Sequence, residues 1–448
     1  MYFKRDKFLV VGISKSGIAA TELLLSKGAK CYIYDDNESE MVLSSARRLE
    51  ASGAVRVDKN EVFELVREID VVVLSPGIPL DHDVPLAARR AGKRVTGELE
   101  LAARFVTAPI IAVTGTNGKT TTCSMIDGIL KGAGEDSILC GNVGTPLSDK
   151  LGQIKSDGIV VAEVSSFQLE TVKLFAPHVS VITNITPDHL SRHYNMDNYI
   201  FVKKRILANL TESEYAVLNY DDGEVRKTGE DLRAKIVYFS AKSEVNGAYA
   251  TDGKIFYKGK FIMETDSLPA KGEHNLMNAL AAISVAEIMG ISESCIVESL
   301  VGFKGVMHRI QFVKNVGGVD YYNDSKATNS DAAEKAIESM TKPTVLILGG
   351  KDKGLDFDSL FKKIKESNVK SVVLTGESRY RMLDSARKAD YTAVSLTDDF
   401  RVAIEIASML ATSGDAVLFS PACSSFDKFT DFEERGNVFM DIVESLDV

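Results

Sequence analysis

The sequence predicts an α/β protein built from doubly wound, largely parallel sheets. Two observations predict this class. Short, continuous runs of Val, Ile and Leu are typical of parallel strands that are covered on both faces, and amphipathic stretches alternate with those runs along the chain. This alternation is typical of βαβ units. It restarts twice, so we expect three α/β domains, at residues 1–97, 98–306 and 307–448.

The individual elements follow from the positions of these runs. Each predicted strand is a short run rich in Val, Ile and Leu, and each predicted helix is a longer stretch with an apolar stripe. Gly28 follows the first helix, where it can end it. In chain order, the predicted strands are residues 7–13, 30–34, 70–74, 110–114, 158–164, 179–184, 344–348, 371–374 and 416–419, and the predicted helices include 18–25 and 199–210.

Composition excludes several classes of protein. The 448 residues carry 53 Lys and Arg against 63 Asp and Glu, and this net charge of −10 argues against a general nucleic-acid binder. The apolar run at residues 8–11 is too short for a signal sequence, and no stretch approaches the ~20 apolar residues of a membrane span. The five cysteines are scattered and never in CxxC spacing, so we expect neither disulfides nor structural zinc. These features predict a reduced, cytoplasmic protein without membrane or nucleic-acid partners.

The strongest local motif is a glycine-rich loop at residues 115–121, GTNGKTT, between a predicted strand and a predicted helix. In this arrangement backbone N–H groups and the helix dipole point at phosphate oxygens. Lys119 would add positive charge at the β- and γ-phosphates, and the Thr120 hydroxyl could bind Mg²⁺. The loop differs from the standard eight-residue phosphate loop, because Val113 stands where that pattern has a glycine. It predicts nucleotide binding.

Polar side chains follow the next two strands of the second unit. Glu163 ends a strand, where α/β sheets bind ligands, and its carboxylate suits Mg²⁺ or an exposed strand end. His189 and His193 follow the strand after it at i,i+4 spacing, which on a helix would suggest zinc. For His193 the sequence favours a solvated position at the start of a helix instead.

Two further segments carry weaker signals. Lys203, Lys204 and Arg205 form a basic run, and such a run is usually a solvated helix face. Residues 12–17 resemble a dinucleotide fingerprint, but Ser14 replaces the middle glycine that lets a pyrophosphate approach the backbone. Asp35 follows the second strand as an acidic residue should. This edge is therefore predicted to bind a nucleotide other than NAD.

The motifs taken together resemble the Mur ligase family of peptidoglycan synthesis. The resemblance spans essentially the whole chain, and the order of the motifs is specific. SSFQLE and SPACSSFDKF resemble the member that adds D-glutamate to UDP-N-acetylmuramoyl-L-alanine. The motifs that carry the resemblance are GTNGKTT, AEVSSFQLE, TNITPDHL, the segment around Lys203, GEHNLMNALAA, MHRI, NDSKATN, LGGKDKG and SPACSSFDKF.

The resemblance implies a Rossmann-like N-terminal domain for the UDP-sugar, a central phosphate-loop domain for ATP, and a Rossmann-like C-terminal domain for the incoming amino acid. It implies catalytic roles for Lys119, Glu163, His189 and Lys203. Two Mg²⁺ ions, which Mn²⁺ can replace, would be bound by Thr120, Glu163, His189 and Lys203, with Lys203 carbamylated by CO₂. The ATP site would comprise Gly115, Thr116, Asn117, Gly118, Lys119, Thr120, Thr121, His274, Asn275, Arg309, Asp324 and Lys326.

The same resemblance implies the sites of the other two substrates. The UDP-sugar would supply the carboxylate that reacts with ATP. The protein would act as a monomer. Its UDP-sugar site would comprise Ser14, Lys15, Ser16, Asp35, Ser75, Pro76, Gly77, Asn142, Ser165 and Gln168. Its D-glutamate site would comprise Thr328, Lys353, Ser425, Phe426 and Phe432.

The implied reaction has two steps. The terminal carboxylate of the UDP-sugar peptide attacks the γ-phosphate to give an acyl phosphate and ADP, and the amine of D-glutamate then displaces phosphate. Negative charge accumulates in both steps, so Mg²⁺, Lys119 and helix N-termini would stabilise it.

Three alternatives stay open at this point. A sibling ligase that adds L-alanine or a diamino acid would share the ATP site and differ in the C-terminal pocket. A relative of folylpolyglutamate synthase would not need the N-terminal domain. An NAD-binding domain fused to a phosphate-loop regulator would fit the first two domains, but it leaves NDSKATN and Lys353 without a role.

Overall fold

The structure is a computed structural model that describes residues 5–142, 144–269, 272–352 and 356–446. The chain forms two compact units that divide between Phe303 and Lys304. Within the described ranges, no helix is both long enough and apolar enough to cross a membrane. The predicted domain boundaries after residues 97 and 306 stay predictions.

The first sheet of the N-terminal unit is parallel, with strand order β3-β2-β1-β4-β5. The first strand ends two residues before the predicted position, because Gly12 turns the chain at a φ of +91° and donates its N–H to the Tyr34 carbonyl. The elements are β1 (Lys7–Val11), α1 (Lys15–Ser26), β2 (Lys30–Tyr34), α2 (Glu40–Ala51), β3 (Val55–Arg56), α3 (Lys59–Glu68), β4 (Val71–Leu74), α4 (Asp83–Arg90), β5 (Arg94–Gly97) and α5 (Glu98–Ala103).

A second parallel sheet in the same unit has the order β11-β10-β9-β6-β8-β7, and a small antiparallel sheet has the order β12-β13-β14. The elements are β6 (Ile110–Thr114), α6 (Lys119–Gly132), β7 (Ser137–Gly141), α7 (Leu147–Lys150), β8 (Ile159–Glu163), α8 (Ser166–Leu169), β9 (Val179–Ile182), α9 (Leu190–His193), α10 (Met196–Lys204), β10 (Tyr215–Asn219), α11 (Gly223–Lys227), β11 (Lys235–Phe239), β12 (Ala248–Thr251), β13 (Lys254–Tyr257), β14 (Lys260–Glu264), α12 (Glu273–Ile288) and α13 (Glu293–Val301), with 3₁₀ turns at Arg205–Leu207 and Thr265–Ser267.

The C-terminal unit contains one sheet of order β15-β16-β20-β17-β18-β19, parallel except for the edge strand β15. Its elements are β15 (Gln311–Val316), β16 (Val319–Asn323), α14 (Ser330–Ser339), β17 (Thr344–Gly349), α15 (Asp358–Lys365), β18 (Val369–Thr375), α16 (Arg379–Lys388), β19 (Val394–Leu396), α17 (Phe400–Leu410), β20 (Ala416–Phe419) and α18 (Phe432–Glu444).

Each parallel sheet is buried on both faces, which explains the continuous apolar runs in the sequence. Successive residues of one strand supply opposite faces: Ile111 and Val113 of β6 belong to one core cluster, and Ile110 and Ala112 belong to another. Helices cover both faces, as doubly wound folds require. The predicted fold class is confirmed.

The largest error in the predicted elements concerns the helix at residues 199–210. The observed helix α10 begins at Met196 and ends at Lys204, where the 3₁₀ turn takes over. Its N-cap is Asn195, whose side chain accepts the Asn198 N–H at 2.8 Å. The cap fixes the start three residues earlier than hydrophobic spacing alone indicates.

Candidate functional site

The glycine-rich loop lies between β6 and α6, at the carboxyl edge of the second sheet, so the predicted strand–loop–helix arrangement is confirmed. Both glycines adopt backbone angles that other residues avoid: φ is +154° at Gly115 and +83° at Gly118. A Cβ atom on Gly118 would lie 2.3 Å from the side-chain oxygen of Asn278. The loop can therefore keep this path only with glycine at that position.

The segment after β9 holds the loop from one side. The Thr116 N–H donates to the Asn184 carbonyl, and the Asn117 N–H donates to the Asn184 side-chain oxygen, both at 2.9 Å. The Thr183 hydroxyl donates to the Asn117 carbonyl at 2.6 Å. Two neighbouring strands thus fix the loop before a ligand binds, which lowers the ordering cost of binding.

Lys119 closes over the loop that it follows. Its ammonium donates to the carbonyl oxygens of Gly115 at 2.9 Å and Thr116 at 2.8 Å. The side chain therefore places a positive charge beside the N-terminus of α6, where the helix dipole already favours anions. This arrangement suits the phosphates of a nucleotide.

A buried polar triplet stands next to the loop. The Thr120 hydroxyl donates to Glu163 Oε2 at 2.7 Å, and the Asn142 side chain donates to Glu163 Oε1 at 3.0 Å. Glu163 is 2% exposed. Hydroxyl and carboxylate oxygens are ligands that Mg²⁺ prefers, so Thr120 and Glu163 fit a magnesium ion bound beside the phosphates. Asn142, predicted to line the UDP-sugar path, contacts this carboxylate.

Lys203 contradicts the expectation that its basic run is a solvated face. Its side chain is among the largest fully buried ones, and its ammonium donates to the Gly115 carbonyl at 2.7 Å. Burial holds the Lys203 pKa well below its usual value, and the nearby Lys119 charge lowers it further, while Asp188 and Glu163 act in the opposite direction. Lys204 remains half-buried.

The two histidines of the predicted pair have different environments. His189 is the N-cap of the short helix α9, with a φ of +52° and a side chain that is 51% exposed. His193, which was expected to be solvated, is 3% exposed, and its ring bonds the Ser166 hydroxyl at 3.0 Å. Burial lowers the His193 pKa, against the opposing charge of Glu170. His193 therefore has a structural role, and only His189 stays accessible to a ligand.

Metal-binding side chains of the common types do not cluster further in the described part of the chain. No three His, Cys, Asp or Glu residues there approach one another as a protein-built metal site would need. Mg²⁺ does not need such a cluster, because it keeps several waters and binds phosphate oxygens alongside one or two carboxylates.

The N-terminal nucleotide candidates meet at the carboxyl edge of the first sheet. The hydroxyls of Ser14 and Ser75 are 3.3 Å apart, and Ser75 donates to the Gly12 carbonyl at 2.8 Å. The Asp35 carboxylate accepts the Ile13 N–H at 2.6 Å. Lys15 begins α1, with Ser16 next to it. β1 and β4 are adjacent strands whose connections run in opposite directions, which is where doubly wound sheets bind ligands.

The remaining UDP-sugar candidates serve first as structural partners. Ser165 and Gln168 form a reciprocal capping box at α8. The carbonyls of Pro76 and Gly77 accept hydrogen bonds from Arg192, at 3.4 and 3.3 Å. Sequence analysis missed Arg192.

Asp324 is the central acidic residue of the C-terminal candidates. It is 4% exposed and accepts hydrogen bonds from the Ser420 hydroxyl at 2.7 Å and the Ile310 N–H at 3.1 Å. Burial raises the Asp324 pKa to about 7, although these bonds and the charges of Arg309 and Lys326 act against the rise. All three predicted residues therefore share one electrostatic environment.

Phe432, which is predicted to bind D-glutamate, contacts Lys326 and Ser325 of the same unit. The Lys326 ammonium lies 5.9 Å from its ring, and the Ser325 hydroxyl donates to its carbonyl at 2.8 Å. Ser425 is buried, whereas the Phe426 side chain is half exposed. Thr328 is partly buried. Lys353 lies outside the described residues.

Two polar residues that sequence analysis missed support these sites. Asn278 contacts the glycine-rich loop and accepts the Thr122 hydroxyl at 3.2 Å. Its spacing of three residues after Asn275, in the first turns of α12, could have identified it. Arg435 is 2% exposed and donates to the carbonyls of Ser325 and Cys423. No motif marks it. His274 and Asn275 lie at the start of α12.

Comparison with known proteins gives one consistent answer. The family model for the Mur ligase MurD-like N-terminal domain matches residues 6–97, that for the Mur ligase middle domain matches 113–286, and that for the Mur ligase glutamate ligase domain matches 308–423. The UDP-N-acetylmuramoylalanine--D-glutamate ligase of Pelotomaculum thermopropionicum is 44% identical, covering 99% of this chain and 98% of its own length. The enzyme of that name from Clostridioides difficile is 40% identical over the whole of both chains.

Solved structures share the fold at lower identity. The UDP-N-acetylmuramate-alanine ligase MurC of Thermotoga maritima is 21% identical with a TM-score of 0.59, covering 98% of this chain and 100% of that one. A MurF from Acinetobacter baumannii is 19% identical with a TM-score of 0.60, covering 93% and 91%.

We expect Gly118→Ala to disrupt the loop. The added Cβ would collide with Asn278 at a positive φ, so unfolding should become easier by about 1–3 kcal/mol, and affinity for ATP should fall with it. Gly128→Ala is the matched control, because Gly128 lies inside α6 with open space around its Cβ position. It should be neutral or stabilising. Denaturant unfolding and calorimetric titration with ATP measure both; equal behaviour of the two variants would refute the role of Gly118.

Asp324 should make the stability of the protein depend on pH. The unfolded chain loses this proton near pH 4 and the folded chain near pH 7, so the raised pKa makes stability fall as pH rises between these values. Asp324→Asn removes that loss, so the variant should gain about 2–4 kcal/mol over the parent at pH 8 relative to pH 4.

A control of opposite sign lies on β16. Burial alone would raise the Asp320 pKa, but hydrogen bonds from Lys342 and Asn315 lower it. Asp320→Asn should therefore lose stability relative to the parent as pH rises through the acid range. Denaturant unfolding from pH 2 to 8 covers both windows, since the Asp320 effect changes below about pH 4 and the Asp324 effect above it. Parallel curves for the two variants would contradict the prediction.

Proposed function

The chain belongs to the Mur ligase family, and we propose which of its residues carry out the reaction of its relatives. It is an ATP-dependent ligase that forms an amide bond between D-glutamate and UDP-N-acetylmuramoyl-L-alanine in peptidoglycan precursor synthesis. The observation that carries this function is similarity at 40–44% identity, over the full length, to ligases named for that reaction. The expected resemblance is confirmed.

The reaction proceeds through an acyl phosphate. The substrate's terminal carboxylate attacks the γ-phosphorus of ATP, the bond to the β,γ-bridging oxygen breaks, and ADP leaves. The amine of D-glutamate then attacks the acyl carbon, and phosphate departs as the amine loses a proton. Because negative charge builds up on the transferred phosphoryl group, preorganised positive groups are the main catalytic requirement.

We assign the phosphates of ATP to the loop from Gly115 to Thr121. The N-terminus of α6, where no side-chain cap bond forms, and the Lys119 ammonium support this assignment, because both place positive charge beside the loop. In the C-terminal unit, Arg309, Asp324 and Lys326 share one electrostatic environment and are assigned to the nucleotide. His274 and Asn275 are assigned there by resemblance.

Mg²⁺, when bound, neutralises phosphate charge and orients the γ-phosphate for attack. Thr120 and Glu163 are assigned to the ion that would lie beside the β- and γ-phosphates, since their oxygens are adjacent. His189 is assigned to a second ion with Lys203. Its ring is accessible, in contrast to that of His193.

Lys203 is proposed to carry a carbamate. An ammonium would repel the ion, and the burial that lowers the Lys203 pKa favours the neutral amine. The amine lone pair attacks the carbon of CO₂ and the nitrogen loses a proton to solvent, which leaves an anionic carbamate. Its two oxygens are ligands of the kind that Mg²⁺ requires.

The substrate sites complete the proposal. Ser14 and Ser75 bond each other, and Asp35 bonds the neighbouring β1–α1 turn at Ile13. Ser14, Asp35 and Ser75 are assigned to the UDP group. Phe432 and the buried Ser425 are assigned to D-glutamate. We propose that the active unit is one chain. The other assigned UDP-sugar residues are Lys15, Ser16, Pro76, Gly77, Asn142, Ser165 and Gln168, and the other D-glutamate residues are Thr328, Phe426 and Lys353.

A panel of amino acids tests the function. With ATP and UDP-N-acetylmuramoyl-L-alanine, ADP should form with D-glutamate at least about a hundredfold faster than with L-alanine, because L-alanine lacks the second carboxylate and leaves polar groups of the site unpaired. L-Glutamate and diaminopimelate should be comparably slow, because the opposite configuration or the longer side chain misplaces the attacking amine. Omission of the UDP-sugar is the control and should abolish turnover. Faster turnover with L-alanine or a diamino acid would assign the chain to a sibling activity.

Lys203→Ala should lower activity about a hundredfold or more, because the variant lacks a proposed ligand of the Mg²⁺ that would neutralise the reacting phosphates. Lys204→Ala is the matched control on the same helix and should stay within about threefold of the parent, since Lys204 contacts solvent. Short carboxylates should restore part of the Lys203→Ala activity, measured as phosphate release.

The parent enzyme should also lose activity in bicarbonate-free buffer below neutral pH, where carbamates decompose, and regain it when bicarbonate returns. Full activity of Lys203→Ala, or a severe loss only in Lys204→Ala, would show that Lys203 is not the carbamate.

A further inference from the structure

Arg192 joins the two parallel sheets of the N-terminal unit. Its guanidinium forms a two-pronged ion pair with Glu170, at 3.0 Å from Nε and 2.6 Å from Nη2. The same group donates to three successive carbonyls of the loop after β4: Nη1 to Gly77 at 3.3 Å, and Nη2 to Pro76 at 3.4 Å and Ile78 at 2.9 Å. One side chain thus connects the segment after β9 with the loop after β4.

The contact is largely shielded from water. The side chains of Arg192 and Glu170 are 15% and 8% exposed. A charged pair in such a place is strong only when its geometry is good and its remaining donors are satisfied, and the carbonyls of the loop supply those acceptors. Only a planar guanidinium presents donors in this fork. A second contact lies nearby, where the Tyr194 hydroxyl donates to Asp81.

The same arginine touches the reaction site through one ring. Its Cζ atom lies 4.9 Å from the centre of the Phe167 ring, and the His189 ring centre lies 4.9 Å from that ring as well. Phe167 stands between Ser166 and Gln168 of α8. Any movement of Arg192 would therefore shift both the loop after β4 and the packing of His189.

We propose that Arg192, oriented by Glu170, is a positioning residue that fixes the loop from Ser75 to Ile78 relative to His189, and so sets where the UDP-sugar presents its carboxylate. Neither side chain is assigned a contact with substrate. The inference rests on the proposed function, because it takes this loop as part of the UDP-sugar site. It gives Glu170, the last residue of the SSFQLE motif, a physical role.

Three variants separate positioning from stability. Arg192→Met keeps the apolar stem and removes every hydrogen bond of the guanidinium. Arg192→Lys keeps the charge and can pair with Glu170, but it lacks the fork that reaches three carbonyls. Arg104→Met is the matched control: Arg104 pairs with the buried Glu100 at 2.8 Å, in the same unit but without contact to the loop.

We expect Arg192→Met to raise the KM for UDP-N-acetylmuramoyl-L-alanine about tenfold or more, because the loop that contacts the UDP-sugar loses its clamp and has to be ordered on binding. The KM values for ATP and D-glutamate should change by less than about twofold. Arg192→Lys should fall between the parent and Arg192→Met. Arg104→Met should leave all three KM values unchanged even where it lowers the melting temperature.

Amide hydrogen exchange gives a readout that does not depend on turnover. In Arg192→Met, the amides of residues 75–81 should exchange about tenfold faster or more, because the loop loses its clamp. The amides of β6 and α6 should be unchanged. Arg104→Met should leave the exchange of the loop as in the parent.

The outcomes are distinguishable. A parent enzyme that forms no ADP with D-glutamate refutes the proposed function, while the hydrogen-exchange comparison still decides whether Arg192 fixes the loop. Unchanged exchange in Arg192→Met overturns the positioning role. Faster exchange with equal rises in all three KM values also overturns it, because that pattern indicates general loss of structure.

Discussion

The carbonyl oxygen of Gly115 is the point on which the central site depends. It accepts hydrogen bonds from both Lys119 and Lys203. Lys119 begins α6, directly after the loop, whereas Lys203 lies in α10, far along the chain. Two ammonium groups that share one acceptor repel each other, and the repulsion is strong where water is excluded. Burial, and to a smaller degree the charge of Lys119, lowers the Lys203 pKa and so weakens this repulsion. One backbone oxygen thus joins the glycine-rich loop to the lysine that we propose is carbamylated.

The topology of the sheets explains why these groups meet. In a parallel sheet the carboxyl ends of all strands lie at the same edge. Residues that follow different strands therefore come close together although they are distant in sequence. Here β6 supplies the loop, β8 supplies Glu163, and β9 leads to His189. Glycine at position 118 then lets Asn278 of α12 approach the loop closely. The site is a consequence of strand order plus a few close approaches.

The sequence predicted many of the parallel strands, because burial on both faces leaves a continuous apolar run, and β6 and β20 match the prediction residue for residue. It missed other parallel strands, such as β5, β10 and β16. It did not predict edge strands such as β3 or the antiparallel sheet β12–β14, whose residues are partly exposed and mixed in character. The motifs marked Lys119, Glu163 and Asp324 as candidates, because few other residue types could bind phosphate or Mg²⁺ in their place. Single polar residues such as Arg192 were missed, because their partners are backbone carbonyls, which leave no trace in the sequence.

The SSFQLE segment shows why a motif can identify a protein family without revealing which atoms its side chains contact. Ser165 and Gln168 bond each other as a capping box, Ser166 holds the buried His193, and Glu170 orients Arg192. Each of these side chains is engaged within the protein. The residues of this segment are therefore constrained mainly because they fix the geometry between the two parallel sheets. Any contact that they make with substrate comes in addition to this structural role. A substitution there would act at a distance from the reacting atoms, through the loop and the helix that the segment holds in place.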